Sequence, residues 1–93
     1  MKFLPVEYHL EIYENTFINE PSLSFCGASP FQHFSVGDYF NHRTVDCWYT
    51  ELEDDETFRV KAVEHIMWEI KDSHIGHKVM VCLERTKNPR DLS

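Results

Sequence analysis

Ninety-three residues with 42% apolar and 27% charged side chains describe one ordinary globular domain, well away from the disordered class. Nine Lys and Arg against sixteen Asp and Glu leave a net charge of -7, the wrong sign for a chain that must neutralise phosphates, which disfavours nucleic acid as a partner. No window approaches the roughly 18 apolar residues needed to span a bilayer, and MKFLPVEYHLEIYE meets Pro5 and Glu7 before an apolar signal region can form.

These features set the expectation of a cytoplasmic protein with no membrane partner. Cys26, Cys47 and Cys82 fit it, being odd in number, widely spaced and free of any Cys-x-x-Cys pairing, so neither a disulfide framework nor a cysteine-based zinc site is signalled. Each is expected as a small buried hydrophobe. A domain this small buries roughly two-thirds of its unfolded surface. Stability must therefore rest on a few large side chains, and seven Phe, four Tyr and two Trp supply them.

Val6, Tyr8, Leu10 and Ile12 alternate with Glu7, His9, Glu11 and Tyr13, the period-two pattern of a half-buried strand. Asn15, Asn19 and Pro21 end it. Residues 14–35 then read as a long irregular connection with Pro21, Gly27 and Pro30, carrying Phe17, Ile18, Leu23, Phe25, Phe31 and Phe34. Loops longer than about 12–15 residues are uncommon in compact domains. This one is expected either to lay its aromatics over the core or to hold a short strand around Leu23 and Phe25; a partner-binding surface is the functional alternative for those aromatics.

Val36-Gly37-Asp38 is a tight-turn signal leading into Tyr39 and Phe40, because glycine permits positive φ and Asp bonds its own local backbone. An apolar residue, Gly-Asp and an aromatic strand resemble the start of small SH3-like and Sm-like barrels, over Val36 to Leu83. The resemblance implies a bent five-stranded barrel and self-association; it carries no catalytic residue, and the Sm-type N-terminal helix and Gly-centred RNA signature are absent from this chain.

Thr44 to Leu52 alternates as a strand, and the acidic Glu51-Leu52-Glu53-Asp54-Asp55-Glu56 reads as a solvated hairpin tip, without the ligand spacing of a calcium loop. In Phe58 to Ile70, Phe58, Val60, Ala62, Ile66, Trp68 and Ile70 fall at even positions and Arg59, Lys61, His65 and Glu69 at odd ones. A helix competes, since Val60, Val63, Met67 and Ile70 recur at spacings of three and four. The β-branched and aromatic content and the lack of a capping box favour a strand, with the even face toward the core. Val63 and Met67 break strict alternation, which predicts a bulge or bend near Ala62-Val63. A loop containing Asp72, Ser73 and Gly76 then turns into a strand where Val79, Val81 and Leu83 alternate with Met80, Cys82 and Glu84, and Thr86 to Ser93 is expected to fray.

The fold expected is thus mainly β, a small bent five-stranded SH3-like or Sm-like barrel in one domain, residues 1–93, with a long N-terminal loop and no substantial helix. Asp72, His74 and His77, with His65 on the same hairpin, are the residues suited to an open metal site, since two imidazoles and a carboxylate can hold zinc. Cys82 and His65 lack the strained turn and orienting partner of a nucleophilic pair, and no Gly-rich phosphate loop or Gly-x-Ser-x-Gly occurs, so neither catalysis nor a cofactor is implied. Two functions remain: a non-catalytic interaction module or oligomer subunit, pairing with itself or a protein partner, and alternatively a metal- or small-ligand-binding domain built on the His74/His77 turn. Sm-like nucleic-acid binding ranks third because of the charge.

Overall fold

A computed structural model describes residues 3–40, 53 and 55–87. Within them are five strands, β1 (Val6–Glu14), β2 (Leu23–Gly27), β3 (Tyr39–Phe40), β4 (Glu56–Ile70) and β5 (His74–Lys87), and no helix. They form one strongly curled sheet, a half-barrel, in the order β2-β1-β5-β4-β3. The expectation of an all-β, five-stranded small barrel is met in this coarser form. The strand predicted over Thr44 to Leu52 lies outside the described residues.

The alternating segment at Val6 becomes β1, and its centre of gravity is β5. β1 runs parallel to β5, Leu10 beside Val79 and Ile12 beside Val81, while β2 and β4 pair antiparallel with β1 and β5 respectively. Because paired residues point to the same side of a sheet, these registers define two faces. The core face holds Leu10, Ile12, Leu23, Phe58, Val60, Val81 and Leu83, against which Phe31, Phe34, Phe40, Val63 and Val79 pack. The loop aromatics Phe31 and Phe34 therefore cover the core, and β2 is the short strand expected around Leu23. Ile18, by contrast, is exposed.

β4 is a strand, as the β-branched content argued, but its even face does not serve the core throughout. Val60 pairs with Leu83 and Ala62 with Cys82, so Lys61 is an extra residue, one position before the predicted bulge. One inserted residue reverses the alternation. Before Lys61 the even residues Phe58 and Val60 are buried; beyond it Val63 and His65 turn to the core face, opposite Val81 and Val79, and Ile66, Trp68 and Ile70 go to the outer face.

The polar turn is tighter than expected. Ser73 N–H donates to Ile70 O at 2.9 Å, Asp72 takes φ 60°, and β5 already starts at His74. At the other end β5 continues through Thr86 and Lys87, which pair with Thr57 and Glu56, so these two residues are part of the sheet and not of a frayed tail. The Val36-Gly37-Asp38 turn forms as predicted: Gly37 has φ 97°, Asp38 N–H donates to Ser35 O at 3.0 Å, and Ser35 N–H donates to Asp38 Oδ2 at 2.9 Å.

Tyr13 on the outer face is buried, and its phenol donates to Glu11 Oε1 at 2.7 Å. Burial first, and then the hydrogen bond and charge of Glu11, push its pKa from 10.0 up to about 12. The folded state thus keeps a proton that the unfolded chain releases, so the associated stability is whole below pH 10 and disappears as the pH rises toward 12. The urea midpoint is expected to fall across that interval more steeply in the wild type than in Tyr13→Phe; parallel pH profiles would contradict the assignment.

Candidate functional site

Alternation along β5 decides what the predicted metal residues can share. His74 and His77 are three apart in a strand, an odd spacing, and so point to opposite faces. His77 pairs with Tyr8 on one side and Met67 on the other, on the core face; His74 pairs with Ile70 on the outer face; Asp72 sits at the turn, exposed. Cys82 and His65 are likewise separated, Cys82 buried opposite Ala62 and His65 opposite Val79. Burial pushes the Cys82 thiol up.

His77 does meet His65. Their rings stack with centroids 5.3 Å apart, and His65 Nδ1 lies 3.0 Å from His77 Nε2, one nitrogen donating and the other accepting. Tyr8 tilts against His77 at 6.0 Å, and the loop carrying Phe31, His33 and Phe34 closes the other side of a pocket there. This is a mostly apolar recess on the core face with imidazoles at its wall.

His74 joins a different group. On the outer face its Nε2 is 3.8 Å from Glu7 Oε2; Glu7 Oε1 lies 3.0 Å from His9 Nε2 and accepts from the Cys26 thiol at 3.4 Å. Glu7 and His9 are two apart on β1 and hence share that face, and Cys26 is the residue paired with His9 across β2. Cys26 is exposed, unlike Cys82, and so departs from the buried hydrophobe expected. Desolvation and then the neighbouring Glu7 carboxylate raise its thiol pKa. The Glu-x-His alternation was legible in the sequence; Cys26 was not, because only the β1–β2 register brings it there.

The third feature is the free edge of β4. β3 pairs only with Phe58 and Arg59, and the backbone of Gly37 and Asp38 extends the contact to Val60. From Lys61 to Ile70 no further strand borders β4 among the described residues. Three large apolar side chains on this segment are exposed, Ile66 at 39%, Met67 at 67% and Ile70 at 47%. Such an edge is a template for another strand.

No protein-family model matches the chain, and no curated protein or solved structure is found similar to it. Among the described residues no helix is long and apolar enough to cross a membrane.

Proposed function

We propose that the protein is a non-catalytic β-sheet interaction module that associates with a second copy of itself through the β4 edge. The observation that carries this reading is the outer edge of β4 from Lys61 to Ile70, which no further strand borders among the described residues, with Ile66, Met67 and Ile70 exposed along it. Edge-to-edge pairing satisfies the backbone groups of both strands and covers apolar side chains on both faces.

A second copy is favoured as occupant by charge. Residues 59–78 carry four basic and three acidic side chains, whereas the rest of the chain holds the remaining five basic and thirteen acidic ones. Two copies of an acidic chain repel least through this hairpin. A two-fold axis at His65 would set the apolar Val63 of one copy opposite Met67 of the other. Kinship with SH3-like and Sm-like barrels belongs to the same reading, supported by the Val36-Gly37-Asp38 turn that leads into β3; nucleic-acid binding ranks below it because of the net charge of -7.

Light scattering on a size-exclusion column tests the proposal: a dimer is expected for the wild type and a monomer for Ile66→Lys/Met67→Lys, since edge lysines oppose strand addition. Both side chains are already exposed, so the thermal midpoint of the variant monomer should change little beyond the loss of dimer linkage. A wild type that stays monomeric at the highest soluble concentration would end the proposal. The alternative, a small-ligand domain, is supported by the recess beside His65 and His77, and histidine ring resonances that shift on addition of an aromatic acid, and not in His77→Ala, are its expected signature.

A further inference from the structure

We propose that Glu7, His9, Cys26 and His74 form a zinc site on the outer face, where β1, β2 and β5 meet. The site is separate from the β4 edge and differs from the Asp72, His74, His77 set in keeping only His74.

Ligand chemistry and spacing carry the proposal together. One ligand atom each from Glu7, His9 and Cys26 falls within a mutual distance of 4.8 Å. Around a tetrahedral zinc with arms of about 2.0–2.3 Å, ligand atoms stand roughly 3.3–3.8 Å apart. The 3.0 Å from Glu7 Oε1 to His9 Nε2 and the 3.4 Å from the same oxygen to Cys26 Sγ already lie near those edges, and His74 Nε2 stands 3.8 Å from the other carboxylate oxygen, Oε2, at the border of the group. Small side-chain rotations bring Glu7, His9 and Cys26 onto one ion, and His74 completes the set by turning its ring toward it. Thiolate, imidazole and carboxylate in one set favour zinc over the hard cations, which take oxygen ligands almost exclusively.

The rings are also held. Ser73 Oγ lies 3.0 Å from His74 Nδ1, and with Nδ1–H donating to it the lone pair is on Nε2, the nitrogen that faces Glu7. His9 packs on the Trp68 indole with ring centroids 5.5 Å apart, which limits its rotation. Pro5, Ala28 and Ser73 border a cleft beside Glu7, Cys26 and His74 through which an ion can enter.

Without metal, Glu7 and Cys26 share the thiol proton in a hydrogen bond. Zinc replaces that proton: the S–H bond breaks heterolytically, the proton leaves to solvent, an S–Zn bond forms, and no atom changes oxidation state. Glu7 loses its thiol partner and gains the cation.

Cobalt(II) serves as the spectroscopic probe on the full chain after chelator treatment. One equivalent is expected to give tetrahedral visible absorption and a thiolate-to-cobalt charge-transfer band, both displaced by zinc. Cys26→Ser should remove the charge-transfer band and weaken binding by about tenfold or more, with Glu7→Gln and His9→Ala also weaker. His77→Ala, on the opposite face, should bind like the wild type. Circular dichroism confirms that each variant folds, and Cys26→Ser is nearly isosteric at an exposed position. A charge-transfer band that survives in Cys26→Ser, its absence from folded wild type, or its loss in His77→Ala would each overturn the site.

Discussion

Replacing Phe58 with alanine is expected to remove a large part of the stability of the fold. Phe58 is 1% exposed and is among the largest fully buried side chains, with Ile12, Leu83, Val60 and Val81. It stands on the part of β4 before the bulge, where the strand faces the core together with Val60. Truncating such a phenylalanine costs about 3–5 kcal/mol, partly lost transfer energy and partly the cavity left behind. A chain of this length holds about 5–14 kcal/mol in total. In urea the midpoint should drop with the slope little changed, since the surface exposed on unfolding is nearly the same. Phe58→Leu should retain most of the stability; a loss below about 1 kcal/mol for the alanine would mean that the core lies elsewhere.

Gly76→Ala should also destabilise the fold, for the opposite reason. Gly76 is buried on the outer face directly opposite Trp68 in the β4–β5 pair, and a Cβ there would overlap Cε2 and Cζ2 of the indole and stand only 2.6 Å from Nε1. The ring lies across the glycine, so an added methyl forces Trp68 off its seat. Overpacking of this kind costs about 1–3 kcal/mol. In a Trp48→Phe background the remaining tryptophan emission should move to longer wavelength as the indole meets water. A double-mutant cycle separates this mechanism from backbone effects: in a Trp68→Val background Gly76→Ala should cost little, and strictly additive losses would refute the contact. Because His9 also rests on Trp68, the same substitution is expected to loosen one proposed zinc ligand.

The two variants act on the two faces of one hairpin, and the residue that separates those faces is Lys61. Strict period two predicted that Ile66, Trp68 and Ile70 would follow Phe58 and Val60 into the core. The bulge between Val60 and Ala62 sends them outward instead. Val63 and Met67 gave the hint, because they broke the alternation, and the hint located the irregularity to within one residue. It could not tell which half of the strand kept the core, since that depends on whether Val63 or Ala62 meets Val81.

The sites show the same division. His74 and His77 look like a pair when residues 72–76 read as a loop; once β5 begins at His74 they stand on opposite faces, and each finds other company, His65 for His77 and Glu7 for His74. No local pattern could have matched Cys26 with Glu7 and His9, which lie 19 and 17 positions away, because that neighbourhood exists only through the β1–β2 register.

By itself the sequence determined the all-β class, the strand at Val6, the Gly37 turn and the presence of the β4–β5 hairpin, and it offered a short strand at Leu23 as one of two readings. Each of these rests on alternation, β-branched content or turn chemistry, all of which act over a few neighbouring residues. Only the tertiary structure decided that β1 runs parallel to β5, that the face of β4 changes at Lys61, and which polar side chains meet. Those outcomes depend on pairing between segments distant in the chain, where a shift of one residue moves every side chain to the other face.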